Sequence, residues 1–339
     1  MSASKDSIQE QVNACLKKVD EMKEKNEDLE KIADEITTTL NAVYCPVDET
    51  ILEAAPLQYK LACILIDIVH KRSDDENADE ELDGVNEDDM QIAWENLESA
   101  RILYKNAEDG KDYRKEIADI YMSLGDLDME KGDFEAAVND TKEALKIRSE
   151  LFPEVSRKIA DCYFFLGISY FYMAQNNALL SEDDKSLEKV AEENAKESKT
   201  NLEKSRSIFG KLCVEKAVEL KVLETKEEDW EKGLELIKAK KEIPTEVKEL
   251  LDNAEDMQET IDNATKFSVA NVIAEEKKNV DALRELMKSD KVEDDEDDED
   301  FEEEEEEEED DDIVIENVED VRGMKRGGEQ LKDTQKRMK

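Results

Sequence analysis

Two ten-residue phrases 42 positions apart, EIADIYMSLG (Glu116–Gly125) and KIADCYFFLG (Lys158–Gly167), constrain this chain more than anything else in it. Aligned on their final glycines, they match Ile117 with Ile159, Ala118 with Ala160, Asp119 with Asp161, Tyr121 with Tyr163 and Leu124 with Leu166. Self-similarity at a fixed period of roughly 20–50 residues marks a stack of repeated units, each too small to bury its own apolar face. The setting is helical. Before residue 290 Pro and Gly are sparse, apolar residues recur three and four apart, and no stretch alternates with period two. An all-α solenoid is expected; an ordinary helical bundle is the plainer alternative, and the matched spacing argues against it.

After the first phrase comes EKGDFEAAVNDTKEAL, with Gly132, Phe134, Ala137 and Ala144. Leu-Gly, then Gly-Asp-aromatic, then small residues on a second helix is the tetratricopeptide pattern. Gly125 and Ala137 are expected to be small because two antiparallel helices cross there, with Tyr121 and Leu124 filling the space beside the contact. Pro153 opens the next unit, where a missing amide is tolerated. The common period is about 34 residues, so 42 adds about one turn to each helix. Four repeats are expected over 5–213. The first is weak, running through Ile8–Val43 with Ala33 in a small-residue slot. The second pairs Leu57–His70 with Gln91–Tyr104 around an acidic insert at 73–90. The fourth begins at Lys158–Met173, and a polar insert at 175–198 delays its second helix.

Residues 214–290 read as two long capping helices split by EIPTE. The second carries Val247, Leu250, Ala254, Met257, Ile261 and Ala264, spaced 3-4-3-4-3, a seam of coiled-coil type. Such a seam covers the open end of a solenoid or joins two copies into a homodimer. The chain then passes into an acidic tail at 291–312 and a basic tail at 313–339, both expected to be disordered. Between them IVIENV stands isolated.

The formal charge of −46 is concentrated. Ten acids fall in Asp74–Asp89 without a Lys or Arg, and nineteen fall in the twenty positions Glu293–Asp312, which leaves −17 for everything else. The insert acids are Asp74, Asp75, Glu76, Asp79, Glu80, Glu81, Asp83, Glu87, Asp88 and Asp89. Like charges in blocks stay solvated. A polyanion gains nothing from phosphate, because binding nucleic acid is driven by release of counterions from cationic contacts. No direct nucleic-acid partner is expected, and a strongly basic protein partner is. The five cysteines show no paired spacing and read as small buried hydrophobes of a reduced, intracellular protein. No signal-type apolar core or membrane-length run is present, so no membrane partner is expected. Enzymatic work is not expected either. His70 is the one histidine, which leaves triads and His-ligated metals without their parts, and no cofactor is expected. Beside Lys71 and Arg72, His70 suits a helix C-terminus.

A tetratricopeptide repeat split by an acidic insertion, followed by AWENLESARILYKN, SLGDLDMEKGDFEAAVND and RKIADCYFFLGISY, resembles the nuclear autoantigenic sperm protein family over most of residues 50–290. The resemblance implies a histone chaperone of the nucleus, shuttling with the cytoplasm, that binds histone H3, usually with H4, without ATP. It would keep histones soluble and hand them to assembly factors, with linker histone and histone-modifying factors as further partners. The short insert, the insertion in the fourth repeat and the weak first repeat depart from the family pattern and leave helix boundaries open. Near the end, Lys325-Arg326 and Lys336, Arg337 and Lys339 resemble a slightly short bipartite nuclear-import signal.

Counting Gly125 and Gly167 as position eight, inward positions two, five, nine, twelve and thirteen hold Asp119, Met122, Asp126, Met129 and Glu130, then Asp161, Phe164, Ile168, Phe171 and Tyr172. This predicts an acidic groove with an aromatic floor, in which the shared Asp of the two phrases plays no part in the helix crossing. Arg and Lys of a ligand would meet carboxylates, and apolar side chains would meet Phe164 and Ile168. The resemblance implies that Asp126, Glu130, Asp161 and Phe164 contact the C-terminal region of H3. A tetratricopeptide adaptor for another basic protein fits the same groove. An adaptor for acidic peptides does not, because a carboxylate would be repelled.

Overall fold

The computed structural model describes residues 5–44, 51–73 and 82–290, and all regular structure among them is helical. The elements are α1 (Lys5–Glu24), α2 (Leu29–Tyr44), a one-turn 3-10 helix (Leu52–Ala54), α3 (Ala55–Ser73), α4 (Leu82–Lys105), α5 (Arg114–Glu130) and α6 (Phe134–Leu151). There follow α7 (Arg157–Leu180), α8 (Leu187–Glu219), α9 (Trp230–Lys238), α10 (Thr245–Thr265) and α11 (Val269–Asp290). The helices pack as hairpins α1–α2, α3–α4, α5–α6 and α7–α8, and successive hairpins touch through α2–α3, α4–α5 and α6–α7. This is an α-solenoid.

The small residues sit where two backbones come close. A Cβ on Gly125 would lie 3.0 Å from Thr141 Oγ1 and 3.3 Å from the Ala137 carbonyl oxygen on α6. A Cβ on Gly167 would lie 2.5 Å from Leu202 Cγ and 3.1 Å from the Leu202 amide nitrogen on α8. Ala137 and Leu202 are fully buried. Between α5 and α6 the chain turns through Gly132 at φ +76°, and Asp133 accepts a hydrogen bond from the Ala136 amide at 3.0 Å to cap α6.

Among the described residues, the later part of the acidic insert and most of the polar insert are helix. Residues 82–89 of the acidic block form the first turns of α4, where carboxylates favour the positive end of the helix dipole. The polar stretch 175–198 lengthens α7 to Leu180 and starts α8 at Leu187, leaving Ser181–Ser186 as the turn. Its composition is helix-forming, and Ala178, Ala191, Ala195 and Ser198 are small enough to be buried along the lengthened hairpin.

The capping region also departs from expectation. α8 runs on to Glu219, and three helices follow it where two long ones were expected. α9 docks closely on α8, with Trp230 over Gly210 and Val214 against Gly233. In α10 the expected seam is real: Val247, Ala254, Met257, Ile261 and Ala264 are buried and Leu250 half-buried. It packs on α8, where the Cys213 thiol lies 3.5 Å from the Val247 carbonyl and Arg206 Nε donates to the Ala254 carbonyl at 3.1 Å. The seam is therefore covered within the chain, which removes it as a homodimer surface. The acidic tail 291–312 and the basic tail 313–339, with Lys325, Arg326, Lys336, Arg337 and Lys339, lie outside the described residues.

Three helices end in the same backbone motif, with a residue in the left-handed region: α1 at Asn26, α5 at Gly132 and α8 at Lys221 (φ +59°). At α8 the Val222 amide bonds the Ala217 carbonyl at 2.7 Å and the Lys221 amide bonds Val218 at 3.1 Å. Gly and Asn suit that conformation and Lys does not. Lys221→Gly should therefore raise the unfolding free energy by about 0.5–1 kcal/mol, read as a higher denaturant midpoint at unchanged slope.

Candidate functional site

The first helices of the last three hairpins, α3, α5 and α7, form one row. Cys63 Sγ lies 3.9 Å from Ser123 Oγ, and His70 Nε2 lies 3.0 Å from Glu130 Oε1. Both contacts join residues sixty apart in sequence, so α3 and α5 run parallel in constant register. Cys162 Sγ, 3.6 Å from Met122 Sδ, continues the row to α7. Met122, Asp126, Glu130 and Asp161 all lie along it, none of them fully buried.

Asp119 has a role that its repetition did not reveal. Its Oδ1 accepts from Arg148 Nη2 at 2.7 Å and lies 3.6 Å from Lys158 Nζ. Arg148 comes from α6 and is 4% exposed, and its Nη1 also donates to the Lys158 carbonyl at 3.1 Å. One guanidinium thus ties α5, α6 and the start of α7 together. The expectation that the shared Asp stands apart from the scaffold is corrected: a buried Arg demands a carboxylate, and Asp119 supplies it. Asp161, the second copy, faces Arg157 at 4.0 Å. Burial raises its carboxyl above the ordinary range, against the pull of Arg157, Arg148 and Lys158.

Glu130 is held as well. Its carboxylate and the His70 imidazole are each 13% exposed and in contact, at the end of α3 where His70, Lys71 and Arg72 complete the last turn. The aromatic floor is closed over. Phe164 is 3% exposed, Ile168 7% and Tyr172 6%. All three belong to the second core cluster, with Tyr172 stacked on Phe134 at 5.6 Å. Phe171 is buried as well. α7 is apolar nearly all round because neighbouring helices pack on several of its sides. Phe164 therefore fills the interior, where the sequence pattern had placed it on an open floor.

Of the insert acids, Asp74, Asp75, Glu76, Asp79, Glu80 and Glu81 lie outside the described residues, and Asp83 lies in the first turn of α4. Glu87 and Asp88 are exposed. Asp89 is not solvated as expected: Arg72 Nη1 reaches it at 2.6 Å while Nη2 reaches Glu30 of α2 at 3.1 Å, which binds the first hairpin to the second.

Sequence reasoning missed a group of carboxylates from three helices. Burial, then the charge of Asp140, pushes the Asp128 carboxyl up to about 7, with Asp133 and Glu98 adding to the rise and Lys131 opposing it. Burial, then Glu98, pushes Asp140 up to about 6 against the pull of Arg101. Arg101 is held by Glu98 at 2.5 Å and lies over the Tyr121 ring. Only packing brings α4, α5 and α6 close enough for these charges to interact, so no local sequence signal marks them.

Hairpin repeats with a parallel inner row define a tetratricopeptide-type solenoid. The SHNi-TPR family model matches residues 118–154, which cover most of α5 and all of α6. The chain is 36% identical over 91 residues to Protein HGV2 of Halocynthia roretzi, covering 26% of this chain and 18% of that protein. It is 23% identical over 123 residues to the nuclear autoantigenic sperm protein of Homo sapiens and over 122 residues to that of Bos taurus, covering 36% of this chain and 15% of each relative. The matched segments thus span less than a fifth of these curated relatives. These similarities support the resemblance carried by the interrupted repeat.

Two outcomes follow from the ion pairs. Arg148→Met should destabilise the chain by about 2–4 kcal/mol, because it strands Asp119 in a partly buried position; thermal unfolding with Asp119→Asn alongside checks this. Asp128 binds its proton more tightly folded than unfolded, so its ionisation destabilises the fold as pH rises from about 4 through about 7. Asp128→Asn should add on the order of 1 kcal/mol at pH 8, discounted for partial exposure, about a third of that at pH 5, and almost nothing at pH 3.

Proposed function

We propose that this protein is an ATP-independent histone chaperone whose α3–α5–α7 row holds histone H3, alone or with H4, while its acidic segments shield the remaining basic surface. The observation that carries this reading is the Glu130–His70 contact. A carboxylate on the row lies 3.0 Å from the His70 imidazole Nε2, in a place where both side chains are only 13% exposed. Asp126 and Asp161 lie along the same row, half-buried. A ligand Lys or Arg would exchange with His70 at Glu130 and extend to these two groups, in charge-assisted bonds strengthened by partial burial. Asp119 serves this site as a strut, holding α5 and α7 in register through Arg148. The SHNi-TPR match and the similarity to nuclear autoantigenic sperm proteins support a nuclear place of work and histones as the basic cargo. Linker histone and assembly or modifying factors are further partners on this reading.

The polyacidic run 293–312 contributes competition with DNA, and the row contributes specificity. Asp126→Lys, Glu130→Lys and Asp161→Lys together should weaken H3–H4 binding by roughly 100-fold or more, at about 1.5–3 kcal/mol per charged hydrogen bond lost, with helicity retained. Calorimetry at two salt concentrations measures it, and unchanged affinity would leave the polyanion as the sole binder. Deleting Glu293–Asp312 should preserve H3–H4 affinity and weaken suppression of nonspecific histone–DNA association. Abolished binding after that deletion would overturn recognition by the row.

A further inference from the structure

Where α8 and α9 end side by side, an open cleft of about 630 Å³ runs between residues 220–222 and 240–244. Lys221, Lys240 and Lys241 line it, all exposed, and among the described residues no ion pair engages any of the three. Several neighbouring lysines are matched: Lys216 pairs with Glu219 and Glu246, Lys226 with Glu215, Lys232 with Glu227, and Lys238 with Glu235 and Glu255. Glu242 is the one carboxylate at the cleft. What distinguishes the cleft is that three ammonium groups are gathered around a single carboxylate. Part of their value is to face two helix C-termini, whose dipoles favour cations. That does not account for Lys221, which holds a left-handed backbone at a position suited to Gly or Asn. Nor does it account for the apolar surface: Leu220 is 38% exposed, and Val222 and Ile243 are half-buried beside it.

An apolar floor with a cationic rim fits a segment that carries acids and aliphatic residues together. One such segment has no other use in the molecule: DDDIVIENVED, Asp310–Asp320, with six acids around Ile313, Val314, Ile315 and Val318. The run before it has charge and almost no apolar content, Phe301 being its sole exception. We propose that the Lys221–Lys240–Lys241 cleft receives the chain's own segment Asp310–Asp320, the ammonium groups pairing with its acids and the aliphatic residues covering Leu220, Val222 and Ile243. The chain is long enough. From Asp290 to Ile313 is 23 residues, about 80 Å extended. The cleft is separated from Asp290 by at most about 75 Å, even with α10, α11 and their three-residue connection in one line. Docking would anchor the polyacidic run at both ends, at α11 and at the cleft. It is independent of the histone reading, which stands or falls on the α3–α5–α7 row.

The test is zero-length carbodiimide crosslinking of the full chain at low concentration, with equal parts of light and nitrogen-15-labelled protein, read by mass spectrometry. Lys221, Lys240 and Lys241 should join carboxylates of Asp310–Asp320 within single isotopic chains, well above the yield for exposed lysines elsewhere such as Lys105. The yield should fall about tenfold in the Ile313→Ser, Ile315→Ser variant, which keeps every charge. An undiminished yield in that variant, or crosslinks spread evenly along 293–312, would reduce the contact to bare charge attraction and overturn a seated segment. Mixed-isotope products in the majority would assign the cleft to a second copy, and absence of these crosslinks would reject the docking.

Discussion

The close crossing of paired helices at Gly125 and Gly167 sets the terms for the rest of the molecule. At both points the first helix of a hairpin approaches its partner until a single added carbon would meet side chain or backbone. That approach brings α5 against α6 and α7 against α8, and it carries the first helices into a row of constant register. Interiors packed this tightly have two consequences. Aromatic residues expected at the surface of α7 are drawn inside, and charged residues that remain on the row must find partners within it.

The charge of the folded part is handled by pairing across repeat boundaries. Arg72 joins Asp89 to Glu30, His70 meets Glu130, and Arg148 gathers Asp119 with the start of α7. Each cluster links one hairpin to the next, through Arg72–Glu30, His70–Glu130 and Arg148–Lys158. A solenoid has only nearest-neighbour contacts to hold it together, and these pairs act at its joints. Of these carboxylates Glu130 also belongs to the row proposed to hold a basic ligand, so scaffold and proposed site share a group. Where matching fails, at Asp128 and Asp140, burial and then neighbouring carboxylates raise proton affinity at a cost to stability near neutral pH.

Much of the architecture was legible in the sequence. The matched phrases located both helix crossings, Gly132-Asp133 located the turn, and the spacing from Val247 to Ala264 located the α10 seam. The polar insert and the end of the acidic insert were misjudged for a definite reason: acidic and amide-rich stretches score as loops by polarity, yet their backbone propensity is helical once a neighbouring helix supplies a surface. The candidate site was only half legible. Position in the repeat put Asp126, Glu130 and Asp161 on one row, but Arg148 and His70 lie on other helices and no spacing rule connects them to Asp119 and Glu130.

The sequence by itself determined the fold class and the small residues at the Gly125 and Gly167 crossings, because those depend on periodicity and on side-chain size along one helix. Tertiary structure decided that Asp119 serves as a strut, that Phe164 is interior, and that the α10 seam is covered by α8. Those outcomes depend on pairs far apart in the chain. Burial and Coulomb interaction act through distance in space, and only the packed helices set those distances.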